Sequence, residues 1–537
     1  MGFFPEIISV AIMNDSVRLG TTELMVTLSS AVAGFMPSSR KNPRKTEAYS
    51  SPVRRESVKT RQSLMSFSSS KSATSMFVFP ISIAIVIRIA YHFFTFRAIQ
   101  CIMLSMETLI QPKILKGFRD FLPAAEIQRA ALIEKLTEVY RSFGFVPIDT
   151  PVLEYTEILL RKSNGETEKQ VFRFEDNGGR DVAMRFDLTV PFARFTAEHK
   201  SELYFPFKRY HIAKVWRGEK PQAGRYREFV QCDFDTVGAD SAAADFEILS
   251  LMKTALNAIG VEKIHIHVNH RGIFNRFLAK IGAAEKSEDI LRIVDKLAKI
   301  GKDEVSSQLA EITGSSEKAN EILEYIAGET DFDSTLNLLE KLAGGADSDT
   351  ERMREIRKMM QAAGIESTFV LDPSITRGLD YYTGIVYETF LDDLPSIGSV
   401  CSGGRYDNLA GLYMKDKVPG VGASIGLDRL LAGLEQLGLS AKKGSYLDAE
   451  IYCLDKNLSV HYQGVASALR AKGIAVEVFP EEKKMAQQYA LTEAKGVKWG
   501  ILIKAEDAEK KVLTLKNLLT REQFAGISIE EAIEKMQ

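Results

Sequence analysis

A basic and aromatic segment at residues 216–229 has the side chains needed to hold an anionic substrate. Four cationic residues fall within eleven positions of one another: Arg217, Lys220, Arg225 and Arg227. Arginine binds phosphate and carboxylate oxygens through paired hydrogen bonds, and an aromatic ring beside it can stack on a purine. The segment therefore predicts two strands and a polar loop that bind such a ligand; a solvated basic hairpin is the alternative.

A second segment, residues 377–384 (RGLDYYTG), places an arginine, an aspartate and two tyrosines between glycines. Adjacent side chains on a strand point to opposite faces, so either Tyr381 or Tyr382 is expected to line a pocket while the other packs inside. Residues 401–407 (CSGGRYD) contain paired glycines, which let the backbone approach a ligand closely. An ordinary core strand and an ordinary loop are the respective alternatives.

A third segment, residues 419–429 (PGVGASIGLDR), predicts a glycine-rich strand that leads into a helix. Small residues allow a nucleotide to lie against the backbone, and Arg429 in the first helical turn can pair with a terminal phosphate. The segment is not a P-loop, because the Gly-Lys-Ser/Thr ending is missing. A tight packing turn is the alternative.

Polar side chains also recur on predicted strand faces. If residues 185–189 form a strand, Asp187 and Thr189 lie on the same side, where they could bind an ammonium group. Polar side chains alternate in the same way over residues 231–235. A half-exposed strand is the alternative in both places.

Three of the seven histidines, His265, His267 and His270, lie close together in the sequence. Two of them would share a strand face, as ligands of a metal ion can. No convincing third ligand lies nearby, so packing or solvation is favoured and no metal site is expected.

The hydrophobic pattern around these segments predicts an α+β scaffold. Residues 123–143 have helical periodicity and begin with a proline. Strand-like runs follow at 171–174, 182–186, 208–216 and 228–237. Because they show no regular alternation with helices, an antiparallel sheet is favoured over a doubly wound parallel sheet.

Composition predicts the domain boundaries. Residues 284–366 are rich in Lys, Glu, Ala and Leu with helical periodicity and predict a helical insertion. The insertion divides the predicted α+β core into residues 106–283 and 367–440. After a linker, residues 446–537 alternate strands with helices and predict a separate α/β domain.

The whole chain of 537 residues has a net charge of −2, which excludes a chain-wide basic surface but not a local one. It is 45% hydrophobic and 26% charged, which excludes collagen, pure disorder and a polytopic membrane protein for the bulk of the chain. The four cysteines are too widely spaced for a metal knuckle or a dense disulfide framework. This favours a reducing compartment, and a cytoplasmic location is expected.

The extension 1–105 differs from the rest, with 12 Lys/Arg against 5 Asp/Glu. A Ser- and Arg-rich stretch in it is predicted to be disordered. Residues 76–96 are almost wholly apolar and long enough for one membrane crossing, although Arg88 lies inside the run. Three interpretations stay open: a membrane anchor or signal, a transit-type extension, and a start codon placed upstream of Met103 or Met106. The third is favoured, because globular-looking sequence begins there.

Taken together and in this order, the segments resemble histidyl-tRNA synthetases over about residues 111–527. The resemblance depends on RGLDYYTG, CSGGRYD and the 217–229 hairpin in combination, and the Phe-Asp-Leu-Thr at 186–189 is similar to the eukaryote-like branch. It implies a class II synthetase core built on an antiparallel sheet, a helical insertion and a C-terminal α/β anticodon-binding domain. It also implies an ATP-dependent ligase that activates L-histidine to histidyl-adenylate and transfers it to the 3′ end of tRNA(His), releasing AMP and diphosphate.

The resemblance further implies individual roles. Arg217 and Arg377 would be catalytic, offsetting the repulsion between the histidine carboxylate and the α-phosphate. The implied histidine-binding residues are Asp187, Leu188, Thr189, Arg217, Gln231, Asp235, Arg377, Tyr381 and Tyr382. The implied ATP-binding residues are Arg217, Glu219, Arg225, Phe229 and Arg429. The residues implied for the acceptor end of the tRNA are Lys116, Lys220 and Gln222.

The implied partners are tRNA(His), L-histidine, ATP and a second copy of the chain. The helix at 123–143 and the region 145–151 resemble the dimer-forming motif of class II synthetases. Mg²⁺ is expected with ATP, whereas a protein-bound structural metal and a membrane partner are not expected.

Three other functions are compatible with parts of this sequence. One is a non-catalytic regulatory paralogue of histidine biosynthesis, which lacks the anticodon domain and the ATP-binding arginines. Another is a prolyl or threonyl synthetase. Membrane tethering through residues 76–96 would add to catalysis and not replace it.

Overall fold

The computed structural model describes residues 110–160, 168–375, 381–440 and 443–537, together with His92. The chain divides into two units, Met1–Thr108 and Leu109–Gln537. The predictions for the extension 1–105 therefore lie outside the described residues, apart from His92. Within the described part of the chain, no helix is both long and apolar enough to span a membrane.

Two sheets form the first part of the second unit. An eight-stranded sheet has the order β1-β5-β6-β11-β10-β9-β7-β8, and a three-stranded sheet has the order β2-β4-β3. The strands are β1 (Val146–Pro147), β2 (Leu153–Tyr155), β3 (Arg173–Glu175), β4 (Asp181–Met184), β5 (Phe207–Trp216), β6 (Glu228–Val237), β7 (Ile264–His270), β8 (Phe369–Leu371), β9 (Ile385–Leu391), β10 (Cys401–Tyr406) and β11 (Gly420–Gly426). The central pairs of the large sheet are antiparallel and its two edge pairs are parallel. The predicted antiparallel-rich α+β core is confirmed.

Five helices support this core: α1 (Pro123–Ser142), α2 (Thr156–Leu160), α3 (Thr189–Glu198), α4 (Ala242–Ala258) and α5 (Arg271–Lys280). The predicted helix at 123–143 is confirmed as α1, which begins at Pro123 and buries an apolar stripe. Ser241 caps α4 by accepting a hydrogen bond from the backbone N–H of Ala244. The buried side of α4 packs into the hydrophobic core behind the large sheet.

In the structure, the residues predicted to form a helical insertion are largely helical. Its helices are α6 (Ser287–Val294), α7 (Leu297–Ile300), α8 (Lys302–Thr313), α9 (Ser316–Ala327), α10 (Phe332–Leu342) and α11 (Ser348–Ala362), and the core resumes with β8 and later α12 (Leu427–Gln436). Asp347 caps α11 in a capping box with Thr350. Helix α11 packs against α4 and so connects the insertion to the catalytic core.

The C-terminal α/β domain has its own hydrophobic core. Its elements are β12 (Ala449–Ile451), α13 (Ser459–Arg470), β13 (Val476–Val478), α14 (Met485–Ala494), β14 (Trp499–Leu502), α15 (Ala505–Lys510), β15 (Leu513–Asn517), β16 (Gln523–Ile527) and α16 (Ile529–Met536). The sheet order is β13-β12-β14-β15-β16. Strands and helices alternate as predicted from β12 to β15, whereas the edge strand β16 follows β15 with no helix between them.

Helix α14 attaches to this sheet through polar side chains. Its buried residues are Gln488 and Thr492. The Gln488 amide donates to the carbonyls of Cys453 and Lys483 at 2.9 and 2.7 Å. Thr492 Oγ1 lies 3.1 Å from Glu450 Oε2, and burial raises the pKa of the Glu450 carboxyl. A hydrogen-bonded layer therefore replaces the usual apolar contact between helix and sheet.

Candidate active site

A pocket of about 220 Å³ lies beside the loop that joins β5 and β6. These strands pair antiparallel, with Trp216 opposite Glu228, and so bring both ends of the 217–227 loop together. The pocket is completed by β10, β11 and the start of α12. All five residues expected to bind ATP line it: Arg217, Glu219, Arg225, Phe229 and Arg429.

Arg217 is held in place on two sides. Its Nε donates to the Phe186 carbonyl at 3.0 Å, and its guanidinium carbon lies 5.2 Å from the centre of the Phe229 ring. The contact with the ring is a cation–π interaction. Arg217 therefore presents a preorganised positive charge in the pocket.

Two further arginines face the same pocket. Arg225 Nη1 lies 3.8 Å from Glu219 Oε2, and Arg429 Nη1 donates to the Ser399 carbonyl at 2.6 Å. Burial, together with the charges of Arg225 and Arg217, lowers the pKa of Arg429 to about 10. Arg429 remains a cation at neutral pH, so the pocket favours an anionic ligand.

Sequence reasoning missed Arg119, which precedes α1. Its Nη2 lies 2.5 Å from Asp428 Oδ1, and the other oxygen of Asp428 accepts from the Val230 N–H at 2.6 Å. The Arg119 guanidinium also lies over the Tyr226 ring, 4.0 Å from its centre. Because Tyr226 and Asp428 line the pocket, Arg119 connects the hairpin to the start of α12.

A buried polar cluster adjoins the pocket. Strand β6 carries Gln231, Asp233 and Asp235 on one face, as the alternation predicts. Asp235 Oδ2 lies 2.7 Å from Arg209 Nη2, and its Oδ1 accepts from the Tyr406 hydroxyl at 2.6 Å. Burial raises the pKa of Asp233 to about 7, and it also raises the pKa of Asp235.

Arg209 is fully buried and was also missed by the sequence analysis. Its guanidinium lies 4.2 Å from the centre of the Phe192 ring, and Nη2 lies 3.4 Å from the carbonyl of Leu188. The register of β5 and β6 places Arg209 directly opposite Asp235. Arg209 has the basic residues Lys208 and His211 close by in the same strand, so nothing in the sequence distinguishes it, and its partner depends on the register.

The expectation that Asp187 and Thr189 share a strand face is wrong. Strand β4 ends at Met184, and α3 begins at Thr189. The Asp187 carboxylate accepts from the Val190 N–H at 3.1 Å and lies 3.4 Å from the Tyr381 hydroxyl, which also contacts Thr189. Burial raises the pKa of Asp187 to about 6. A helix start, not a strand, brings the carboxylate and hydroxyl together.

The expectation that Tyr381 and Tyr382 point to opposite strand faces is also wrong. Both precede β9, which begins at Ile385. Their rings meet edge to face with centres 4.9 Å apart, and the Tyr381 ring also contacts that of Tyr406. The two tyrosines therefore form one wall of the polar cluster.

The CSGGRYD segment is strand β10, and its glycines contact the protein's own atoms. A Cβ on Gly404 would lie 2.8 Å from the Tyr382 ring, and one on Gly403 would lie 2.1 Å from the carbonyl oxygen of Gly422. A Cβ on Gly422 itself would lie 2.0 Å from Asp235 Oδ1. These glycines make room for the tyrosine and the carboxylate of the cluster.

The remaining predicted residues lie near the hairpin or outside the described residues. Lys116, Lys220 and Gln222 are exposed. The Arg227 N–H donates to the carbonyl of Gly117 at 2.8 Å, which brings the 116–117 segment beside the hairpin. Arg377 lies outside the described residues.

The three clustered histidines have separate surroundings. His265 and His267 place Nδ1 2.6 Å from Asp392 and 2.8 Å from Asp372. His270 is buried, and burial lowers its pKa to about 4. Among the residues that the structure describes, no group of three or more His, Cys, Asp or Glu side chains could hold a metal ion.

Comparison with known proteins identifies the family. Residues 117–430 match the histidyl-tRNA synthetase family over more than half of the chain. The chain belongs to the histidyl-tRNA synthetase family. Residues 448–537 match the anticodon binding domain, as expected for this family.

Individual relatives agree with this assignment. The chain is 60% identical over 446 residues to the histidine–tRNA ligase of Treponema denticola, covering 80% of this chain and 99% of that protein. It is 49% identical over 438 residues to the ligase of Rhodopirellula baltica, with coverage of 80% and 99%. The structure matches the histidyl-tRNA synthetase of Nostoc sp. with a TM-score of 0.72 at 29% identity, covering 80% and 99%.

The chain is therefore an aminoacyl-tRNA synthetase that ligates histidine to tRNA, with a class II core and a C-terminal anticodon-binding domain. This confirms the family and the activity that the motifs imply. It also favours the ligase over the regulatory paralogue and over a prolyl or threonyl synthetase.

Proposed function

We propose that the 220 Å³ pocket, here called the ATP pocket, binds ATP and that the polar cluster, here called the histidine pocket, binds L-histidine. One observation carries the proposal: Arg217 lines the ATP pocket while its Nε is held by the carbonyl of Phe186, next to Asp187 of the histidine pocket. Arg217 is thus suited to meet the α-phosphate and the histidine carboxylate together.

The reaction joins two anions. A carboxylate oxygen of histidine attacks the α-phosphorus, the bond to diphosphate breaks, and histidyl-adenylate forms. Repulsion opposes this step, and a preorganised Arg217 offsets it as charge builds up in the transition state. No protein base is required, because the carboxylate is already the nucleophile. Arg377 is expected to share the role of Arg217.

Transfer follows in the same site. The terminal hydroxyl of tRNA(His) attacks the carbonyl carbon of the adenylate, the ester forms, and AMP leaves. Lys116, Lys220 and Gln222 are proposed to contact the acceptor end. Their exposure on or beside the hairpin that contributes Arg217 and Arg225 to the ATP pocket supports this role.

In the ATP pocket, Phe229 is proposed to stack on adenine and Glu219 to accept from it. Arg225 and Arg429 are proposed to bind the outer phosphates, a role that their shared positive charge supports. Mg²⁺ is expected to enter as part of the magnesium–ATP substrate, where it would offset the negative charge of the phosphates.

In the histidine pocket, Asp187 is proposed to bind the α-ammonium group with Thr189, beside the buried Leu188. Gln231 and Asp235 are proposed to bind the polar groups of the substrate. Tyr381 and Tyr382 would enclose the imidazole. Buried polar partners select strongly against an apolar side chain, which would leave them without hydrogen bonds.

We further propose a homodimer formed through α1 and the region 145–151. Exposed apolar side chains near these elements support the proposal, with Val146 46%, Leu153 43% and Tyr155 50% exposed. The proposed domain boundaries are 106–283 and 367–440 for the core, 284–366 for the insertion and 446–537 for the anticodon-binding domain. A cytoplasmic location stays a prediction.

The proposal is tested by ATP–diphosphate exchange on the full chain with histidine, proline or threonine. Exchange is expected with histidine alone. Arg217→Ala should slow it by about 100- to 1000-fold, by analogy with the loss of other preorganised charge donors. Arg173→Ala, which breaks an exposed pair with Asp181, is the control and should exchange like the parent. Parental exchange in Arg217→Ala would contradict the proposed site.

A further inference from the structure

We infer that Arg352, in the last helix of the insertion, is a positioning residue for the histidine pocket. The inference rests on the proposed function of that pocket. Arg352 belongs to α11, and the ATP pocket is lined by residues from other elements. Its connection to the histidine pocket passes through one buried carboxylate.

That carboxylate is Asp245 of α4, which is fully buried. Its two oxygens contact different arginines: Oδ2 accepts from Arg352 Nε at 2.6 Å, and Oδ1 accepts from Arg405 Nε at 2.8 Å. Arg352 Nη1 also donates to Asp240 at 2.6 Å. Without Arg352, one oxygen of Asp245 would lose its charged partner, which is costly for a buried group.

Arg405 in turn holds the segment that follows the two tyrosines. Its carbonyl accepts from the Thr383 N–H at 2.8 Å, and its Cδ packs against Gly384, where a Cβ would be 3.0 Å away. Arg405 Nη1 also reaches Asp407 at 3.2 Å, and Asp407 accepts from the Thr383 hydroxyl at 2.7 Å. Thr383 is thus held through both its backbone and its side chain.

Thr383 directly follows Tyr382 in the sequence. A shift of the Arg405 guanidinium toward the orphaned oxygen of Asp245 would therefore move the tyrosine wall of the histidine pocket. Because Arg405 and Thr383 do not line the ATP pocket, the effect should fall on histidine binding and leave ATP binding nearly unchanged. If Arg352 had a purely structural role, its loss would lower the stability of the fold without affecting histidine binding more than ATP binding.

The test measures KM for histidine and KM for ATP by diphosphate exchange on full-length variants. Arg352→Ala should raise KM for histidine by about tenfold and change KM for ATP by less than about twofold. Arg352→Lys keeps the charge and should restore part of the affinity. The matched control is Arg354→Ala on the same helix, because Arg354 pairs with Glu340 and Asn337 inside the insertion. It should leave both constants unchanged.

An unchanged KM for histidine in folded Arg352→Ala, equal rises in both constants, or the same rise in Arg354→Ala would each overturn the inference. If Arg352→Ala does not fold, Arg352→Lys decides in the same way: a rise confined to histidine supports the inference and no rise overturns it. Tyr382→Ala distinguishes a failure of the inference about Arg352 from a failure of the proposed histidine pocket. If it raises KM for histidine and the Arg352 variants do not, only the inference fails; if it has no effect, the proposed histidine pocket is wrong.

Discussion

Arg209 Nη2 lies 2.7 Å from Asp235 Oδ2, and the two side chains are 0% and 3% exposed. Burial raises the pKa of Asp235, and the Arg209 charge opposes that rise. Within the histidine pocket, Arg209 thus favours the ionised, hydrogen-bond-accepting form of Asp235, against the effect of burial.

Replacing Arg209 should therefore destabilise the fold. Arg209→Met would leave the Asp235 charge buried without its partner, at a cost of about 3–5 kcal/mol in the free energy of unfolding. Urea denaturation measures this cost. The double variant Arg209→Met/Asp235→Asn should recover most of it, because neither member of the pair then carries a charge; equal instability of the single and double variants would argue against the pairing.

The raised pKa of Asp187 predicts a pH-dependent affinity for histidine. The proposed contact with the α-ammonium group requires the carboxylate, whose pKa of about 6 in the free protein is caused by burial. As pH falls through about 6, Asp187 takes up a proton and the contact weakens. Above this pH the group is ionised and the affinity reaches its plateau.

The measurement is kcat/KM for histidine against pH in the parent and in Asp187→Asn. The imidazole of free histidine titrates near pH ~6.5, but it does so identically for both proteins. The ratio of parent to variant should therefore fall below pH about 6 because of Asp187 alone. A ratio that stays constant with pH would remove Asp187 from ammonium binding.

Arg429→Ala should weaken ATP binding selectively. A charge-assisted hydrogen bond to phosphate contributes roughly 1.5–3 kcal/mol, so KM for ATP is expected to rise by about 10- to 100-fold. KM for histidine should change little, because Arg429 lies in the ATP pocket. Diphosphate exchange measures both constants, with the exposed Lys417 as the site of a Lys→Ala control. A larger rise for histidine than for ATP would place Arg429 elsewhere in the reaction.

Two glycines should respond oppositely to substitution by alanine. Gly422→Ala would place a Cβ 2.0 Å from Asp235 Oδ1 and 2.7 Å from the backbone carbonyl of Phe234, so we expect loss of folding or of histidine binding. Gly464 lies in α13 with no neighbouring atom within 4 Å of the added Cβ. Gly464→Ala should stabilise the helix by up to about 1 kcal/mol.

Thermal unfolding and the KM for histidine measure both effects. A Gly422→Ala variant with parental values of both would show that the strands can separate to admit the methyl group. A lower melting temperature for Gly464→Ala would show that the open space beside α13 is needed in the folded protein.

The pattern of neighbouring residues was sufficient to predict those strands whose side chains alternate clearly between polar and apolar. Strands β5 and β6 were predicted within one residue of their observed bounds, because alternating side chains flank a charged loop. Helix α3 was not predicted, because its aromatic and β-branched residues have a low helix propensity; Pro191 is tolerated because it lies in the first turn.

The sequence predicted most individual residues of the candidate site, but it did not predict which of them contact each other. The motifs identified every arginine that lines the ATP pocket. They did not identify Arg119 or Arg209, because the partners Asp428 and Asp235 are distant in sequence and are brought near by packing and strand register. The two tyrosines were placed on the wrong faces because β9 begins three residues after Tyr382.

The polar layer beneath α14 has a consequence for how the anticodon-binding domain opens. When α14 leaves the sheet, it exposes Gln488 and Thr492, whose hydrogen bonds water can replace. Opening at α13 would instead expose Tyr462, Val465 and Leu469, with the full cost of hydrating apolar surface. Amide hydrogens of α14 should therefore exchange with solvent before those of α13. This face of the domain should also open without exposing an apolar surface that could aggregate.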